Sequence, residues 1–345
     1  MTRKILAIYI LAVLLLLSIV PTIYFLQSYS VQFVTEKPLS YSGQYHYFNS
    51  DDGFKLFARI RGNKSKLPII FLSDGYKYPS LIFELQLSDT LLNQFEFIFP
   101  DYRGYGKSER FKNPGNFSVD HLANDIEALR KSVSADSIIL MSHGFGTIIA
   151  QQYYQKYSAH LKAQILISPI ISYDNSAKSA AKKLAEILKT TNPDSVQSTS
   201  YFEMEGYSRD DEVGFFGIAK ILAHLEETKL LFNDLKNSEK LDINILVNDG
   251  FYSESELTVL AYPSLTIGLL YGLYKADFHD DFVSLKKKTL IICGANDFFS
   301  GRQSIEYIAA EEPLDSVFIT NSGFYPFLEN YNEFEDSILN FLKTM

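Results

Sequence analysis

Behind Arg3 and Lys4, the chain runs without a charge from Ile5 to Leu26 and includes Leu14-Leu15-Leu16-Leu17. About 20 apolar residues at helical rise cross the hydrocarbon core of a bilayer. The apolar region of a secretory leader is shorter, about 7–15 residues, and ends at a small-residue cleavage site. This run passes Pro21, continues as Ile23-Tyr24-Phe25-Leu26 and shows no A-x-A pattern. It therefore predicts an uncleaved transmembrane signal anchor over residues 1–27. Positive charges ahead of the span place the N-terminus in the cytoplasm and the body on the extracytoplasmic side. Tyr24 and Tyr29 are then placed to meet the outer interface. The expectation is a single-pass membrane protein.

Residues 28–45 are polar and turn-rich and predict a linker. Beyond it the apolar period switches repeatedly. Strands are predicted at 54–60, 67–72, 95–99, 137–141 and 163–167, and helices at 80–92, 118–133 and from Gly146 to about Tyr157. In the helix at 118–133, Ser118 stands at the cap position and Leu122, Ile126 and Leu129 fall on one face. From about 173 to 281 helical stretches dominate, at 176–190, 214–235 and 255–273. Lys182, Lys183, Glu186, Glu226 and Glu227 occupy their predicted solvent faces. The alternation then resumes with strands at 288–293 and 316–319 and helices at 304–310 and 332–342. Strands alternating with helices predict an α/β domain with a mostly parallel sheet covered on both faces. The predicted core is 46–170 with 284–345, and the helical block at 171–283 is an inserted cap.

Composition narrows the classes. The only cysteine, Cys293, excludes an intramolecular disulfide, and in the run Thr289-Leu290-Ile291-Ile292-Cys293 it reads as a buried core residue. Six scattered histidines and no Cys/His spacing predict no metal site, and no cofactor is predicted. Net charge is −9, and residues beyond 30 carry 30 basic against 41 acidic groups. An acidic body without a basic stripe excludes nucleic acid as the expected partner.

The chemistry is signalled at 142–146, Ser142-His143-Gly144-Phe145-Gly146. This pentapeptide lies between the strand 137–141 and the apolar helix that follows, the setting of a G-x-S-x-G nucleophile elbow. Its central residue is glycine. Three more segments fall in a matching order: Asp101-Tyr102-Arg103-Gly104-Tyr105-Gly106-Lys107-Ser108, Cys293-Gly294-Ala295-Asn296-Asp297, and Asn321-Ser322-Gly323-Phe324-Tyr325-Pro326-Phe327. Together the four resemble the α/β-hydrolase superfamily over about residues 45–345. The resemblance is nearest to the proline iminopeptidase branch, in which a helical cap follows the sixth strand. Ile170-Ile171-Ser172-Tyr173, leading into a Ser/Ala/Lys-rich helix, resembles the cap start of membrane-anchored members.

The resemblance implies a degenerate triad. Gly144 stands at the nucleophile, Asp297 at the acid and Phe324 at the base, so nothing can attack and nothing can take a proton. The oxyanion loop, H-G-G-P-G in the family, is matched by Ser73-Asp74-Gly75-Tyr76-Lys77. Asp74 has the wrong sign for stabilising a developing oxyanion, while the N–H of Phe145 is still expected to point inward. Glycine at the elbow relieves a strained backbone, and phenylalanine can fill the pocket of the histidine. With no imidazole to orient, Asp297 is expected to bond to local backbone. Ser142 is expected to face the strand–helix packing, His143 is not the base, and Ser168 and Ser322 read as cap or turn residues. His121 reads as a surface residue, and His46, His160, His224 and His279 have no partner pattern. Glu203, Glu205 and Asp210-Asp211-Glu212 form an acidic cap cluster; the resemblance implies, by region only, carboxylates that hold a substrate's α-amino group, and the residues by themselves read as a solvated turn.

Three classes of function follow as expectations. The leading one is a membrane-anchored pseudohydrolase that binds a small-molecule or peptide ligand beneath the cap, or a protein partner. The second is an active serine hydrolase or aminopeptidase that uses other residues. The third is a membrane-associated scaffold, favoured if Phe324, Tyr325 and Phe145 plug the site.

Overall fold

The apolar runs of the body become eight strands of one sheet, ordered β1-β2-β4-β3-β5-β6-β7-β8. The structure is a computed structural model that describes residues 36, 38, 40–65, 67–74, 79–110, 117–191, 230–242, 244–256, 277–278, 287–300 and 315–345. The strands are β1 Gln44–Asn49, β2 Lys55–Gly62, β3 Ile69–Leu72, β4 Glu96–Asp101, β5 Ile138–His143, β6 Leu161–Ile167, β7 Lys288–Gly294 and β8 Asp315–Ile319. β2 is antiparallel to β1 and β4, and every pairing from β4 to β8 is parallel. β3 and β5 are buried throughout, as expected of parallel strands covered on both faces.

Helices described between the strands are α1 Leu81–Glu84, α2 Asp89–Gln94, α3 Val119–Ser132, α4 Gly146–Tyr157, α5 Tyr173–Thr191 and α6 Asn244–Asn248, and α7 Pro326–Glu329 and α8 Tyr331–Leu342 follow β8. Ser118 caps α3 by accepting from the N–H of His121. The helix predicted at 80–92 is instead two short ones. Ser88 ends the interruption by capping α2, accepting from Leu91 N–H.

The stretch expected to be linker reaches the core before residue 45. Tyr41 is buried and Gln44 opens β1. This edge strand was not expected, because its half-buried sequence QYHYFN gives only a weak alternation. Residues 230–234 are not helical, although the helix predicted at 214–235 includes them, and Asp234 caps a 3₁₀ segment at Leu235–Leu241; the rest of that prediction lies outside the described residues. The span at 1–27, the cluster at 203–212 and the helix at 304–310 lie outside the described residues, as do Gly75, His224 and His279. Among the described residues no helix is long and apolar enough to cross a membrane.

The helical block leaves and rejoins the sheet at one point. Phe278 N–H donates to Ile171 O at 2.9 Å, and Ser172 bridges to Asp277. β6 and β7 then pair directly, although about 120 residues separate them in the chain.

Candidate functional site

β5 delivers Ser142 and His143 to the carboxyl edge of the sheet, and the chain turns at Gly144 with φ +50° before α4 begins. That left-handed value suits glycine. Thr147 closes the turn, its backbone N–H and its hydroxyl both donating to Gly144 O at 3.0 and 2.6 Å. Gly146 is needed for close approach. A Cβ there would lie 2.8 Å from Ser73 O and closer still to Leu72 O. The elbow is therefore pressed against the end of β3, from which Ser73 and Asp74 extend.

Asp74 uses that proximity. Its Oδ1 accepts the Phe145 N–H at 2.8 Å. Tyr102, from the motif at 101–108, donates its hydroxyl to Ser73 O at 2.9 Å and so fixes the backbone that carries Asp74. A Cβ on Gly144 would collide with the Asp74 carboxylate and stand 2.8 Å from Phe324 Cζ. The space a side chain at 144 would take is thus occupied from both sides, by a carboxylate and by a ring.

Phe324, expected at the base position, lies in an aromatic cluster. Phe324 is buried, with its ring centroid 4.6 Å from His143, 5.3 Å from Phe299 and 5.2 Å from Tyr325. Phe232 stacks on Tyr325 at 4.8 Å, and Phe324 N–H donates to Leu231 O at 2.9 Å. Glu329 ties the two segments, accepting from the N–H groups of Gly323, Asn233 and Asp234 at 2.6–3.0 Å.

Asp297 is bonded as expected, to its own turn. It accepts from Phe299 N–H at 2.9 Å, Ser300 N–H at 3.1 Å and Ser300 Oγ at 2.5 Å. Burial pushes its pKa up, against those donors. The structure therefore brings Asp74, Gly144, Phe145 and Phe324 into contact and leaves Asp297 bonded mainly to its own loop, with the Ser168 hydroxyl also acting on its carboxylate.

Among the described residues no Ser–His pair is assembled at the elbow. Ser142 is fully buried, and its hydroxyl lacks a hydrogen-bond partner. Ser322 donates to Gly323 O at 3.2 Å. Ser168 lies in a turn at φ +43°. His143 Nε2 meets Phe324 O at 2.8 Å. A carbonyl only accepts, so this nitrogen carries the proton. Burial lowers the His143 pKa to about 4. Two Ser–His contacts occur among the described residues, both outside the elbow. Ser118 with His121 forms a helix cap, which makes His121 half-buried rather than a surface residue. Ser132 already donates to Leu129 O, so it only accepts from His46.

Sequence reasoning missed a buried charge network. Arg59 donates to Glu84 at 2.7 Å, Asp101 at 3.2 Å, Tyr252 Oη at 2.7 Å and Ser80 Oγ at 2.8 Å. Tyr252 in turn donates to Asp101 at 2.8 Å, Tyr41 donates to Glu84, and Lys107 lies 3.5 Å from Glu256. Arg103 pairs with Asp52 at 2.8 Å and Asp125 at 2.5 Å. The charges of the 101–108 motif thus brace the sheet and residues 252–256. The only signal in the sequence was the motif itself.

A family model described as alpha/beta hydrolase fold matches residues 71–199. A proline iminopeptidase of Saccharolobus solfataricus is 28% identical over 162 residues, 46% of this chain and 51% of the relative, so the match spans about half of that protein. The proline iminopeptidase PfmaB of Pestalotiopsis fici is 24% identical over 79% of this chain and 90% of its own. Among solved structures, a proline iminopeptidase-related protein of Thermus thermophilus superposes with TM-score 0.64 at 18% identity, over 88% of this chain and 98% of its own. An esterase of Thermogutta terrifontis superposes with TM-score 0.59 at 21% identity, over 87% and 98%.

Proposed function

We propose that this chain, which has the α/β-hydrolase fold with proline iminopeptidases among its relatives, is a catalytically silent, membrane-anchored pseudohydrolase that acts by binding. The observation that carries the reading is the filled nucleophile position. Gly144 has no side chain, and the volume a side chain would take is held by Asp74 and Phe324. Acyl transfer needs an attacking atom and a base within hydrogen-bond reach of it. Among the described residues neither is present at the elbow, and the remaining acid is bonded mainly to its own turn.

The burial of Phe145, Phe324 and Tyr325 counts against a small ligand at the triad and favours a second reading, a membrane-associated scaffold. The anchor is proposed from the uncharged run at 5–26, with the body on the extracytoplasmic side.

The test is hydrolysis by purified residues 31–345 of aryl esters and aminoacyl arylamides, prolyl included, beside Asp297→Asn. Equal, background-level rates support the reading. Turnover that Asp297→Asn abolishes would establish an active hydrolase with displaced residues. Extraction of full-length protein from membranes by alkaline carbonate would remove the anchor from the proposal.

A further inference from the structure

We propose that Asp74 is a built-in inhibitor, an internal carboxylate that occupies the oxyanion position and closes the elbow to any incoming group. The Phe145 N–H is the donor that an acyl-transfer enzyme aims at the developing oxyanion, one residue after its nucleophile. Here that donor is already satisfied at 2.8 Å by Asp74 Oδ1. It sits at the N-terminus of the twelve-residue helix α4, where a negative charge is favoured. A neutral carbonyl oxygen arriving from a substrate would have to displace an ionised acceptor, which makes the stronger hydrogen bond.

Asp74 is also held in place from behind. Tyr102 bonds the carbonyl of Ser73, and Gly146 lets the Ser73 backbone come against the elbow. Gly144, Asp74 and Phe324 therefore act as one unit. The glycine makes room, the carboxylate takes the N–H, and the ring closes the other side. Restoring a serine at 144 would meet Asp74 before it met a substrate.

The inference rests on reading positions 144 and 145 as a former hydrolase site. Its test reads folding and anion uptake, so turnover through other residues would sink that reading and leave this one standing. In the full-length chain, the melting temperatures of Gly144→Ala, Asp74→Ala and the double variant are compared with the unmodified protein. The left-handed backbone penalises alanine equally in both backgrounds. Any difference therefore reports the collision with Asp74.

The expected result is that Gly144→Ala costs less than half as much when Asp74→Ala is present. Sodium formate should then raise the melting temperature of Asp74→Ala above that in equimolar chloride, and leave the unmodified protein unchanged. Folding of the double variant where Gly144→Ala alone fails to fold would also support the proposal. Additive effects, or formate acting no better than chloride, would overturn it. If Asp74→Ala does not fold, Asp74→Ser, which removes the nearest atom, Oδ1, takes its place in the cycle.

Discussion

His143 donates its Nε2–H to the carbonyl oxygen of Phe324 at 2.8 Å, so the residue beside Gly144 clasps a residue 181 positions away. The imidazole is buried against the rings of Phe324, Tyr325 and Phe327. It is a structural clamp between β5 and the loop at 321–327, and its neutral form is the one the core accepts.

A pH dependence follows from that clamp. The folded-state pKa of His143 is lowered to about 4 by burial, below the ordinary value of 6.5. Between these values the unfolded chain binds the proton and the folded chain does not, so stability falls as pH drops from 6.5 towards 4. At roughly 1.4 kcal/mol per unit of pKa shift, the loss reaches about 3 kcal/mol once pH is below the folded value. Urea titrations at a series of pH values should show this slope and should show it reduced in His143→Gln, which keeps a donor for Phe324 O. An unchanged slope in the variant would mean that other groups carry the dependence.

Gly146→Ala tests the close approach at the elbow. The added methyl would strike the carbonyl oxygens of Leu72 and Ser73, both backbone atoms that cannot rotate away. Overpacking of this kind costs about 1–3 kcal/mol or more. The expected outcome is a lower urea midpoint and a shifted Phe145 amide resonance, since Asp74 moves with Ser73. A variant as stable as the parent, with that resonance unmoved, contradicts the contact.

Arg59→Met tests the buried network. The change leaves Glu84 and Asp101 without their shared cation and takes a donor from Ser80 and Tyr252. Removing one partner of a buried ion pair costs about 3–5 kcal/mol. Equilibrium unfolding should show a loss of that order, and Arg59→Met with Glu84→Gln should recover part of it. A loss within experimental error would show that the network contributes nothing net.

Reversion of the triad should fail in stages. Gly144→Ser alone gives no turnover, because no base is present and Asp74 and Phe324 fill the space. Gly144→Ser with Phe324→His also stays inactive towards aryl esters while Asp74 holds the Phe145 N–H. Robust hydrolysis by the single variant would show that a base exists which the elbow does not reveal.

Much of the fold was legible along the chain because it is written in local periods. β5, the Gly144 turn and α4 follow from a buried apolar run, a small-residue pentapeptide and a helical face. The Ser118 cap could be read from one hydroxyl ahead of an amphipathic stretch. β1 was not legible, since an edge strand half open to solvent leaves little alternation to detect. Nor was the break between α1 and α2, where Glu84 turns inward to a cation on β2.

The side-chain chemistry open to positions 144 and 324 was likewise limited by the sequence alone. Gly144 lacks an oxygen and Phe324 lacks a nitrogen in any conformation. Only the tertiary structure decided what replaced them. Asp74 reaches Phe145 across 71 residues of chain, Phe324 meets His143 across 181, and Tyr252 reaches Asp101 across 151. Side-chain identity limits what chemistry a position can do. Which donor a carboxylate finds depends on where separate strands end, and that is settled only when the sheet has formed.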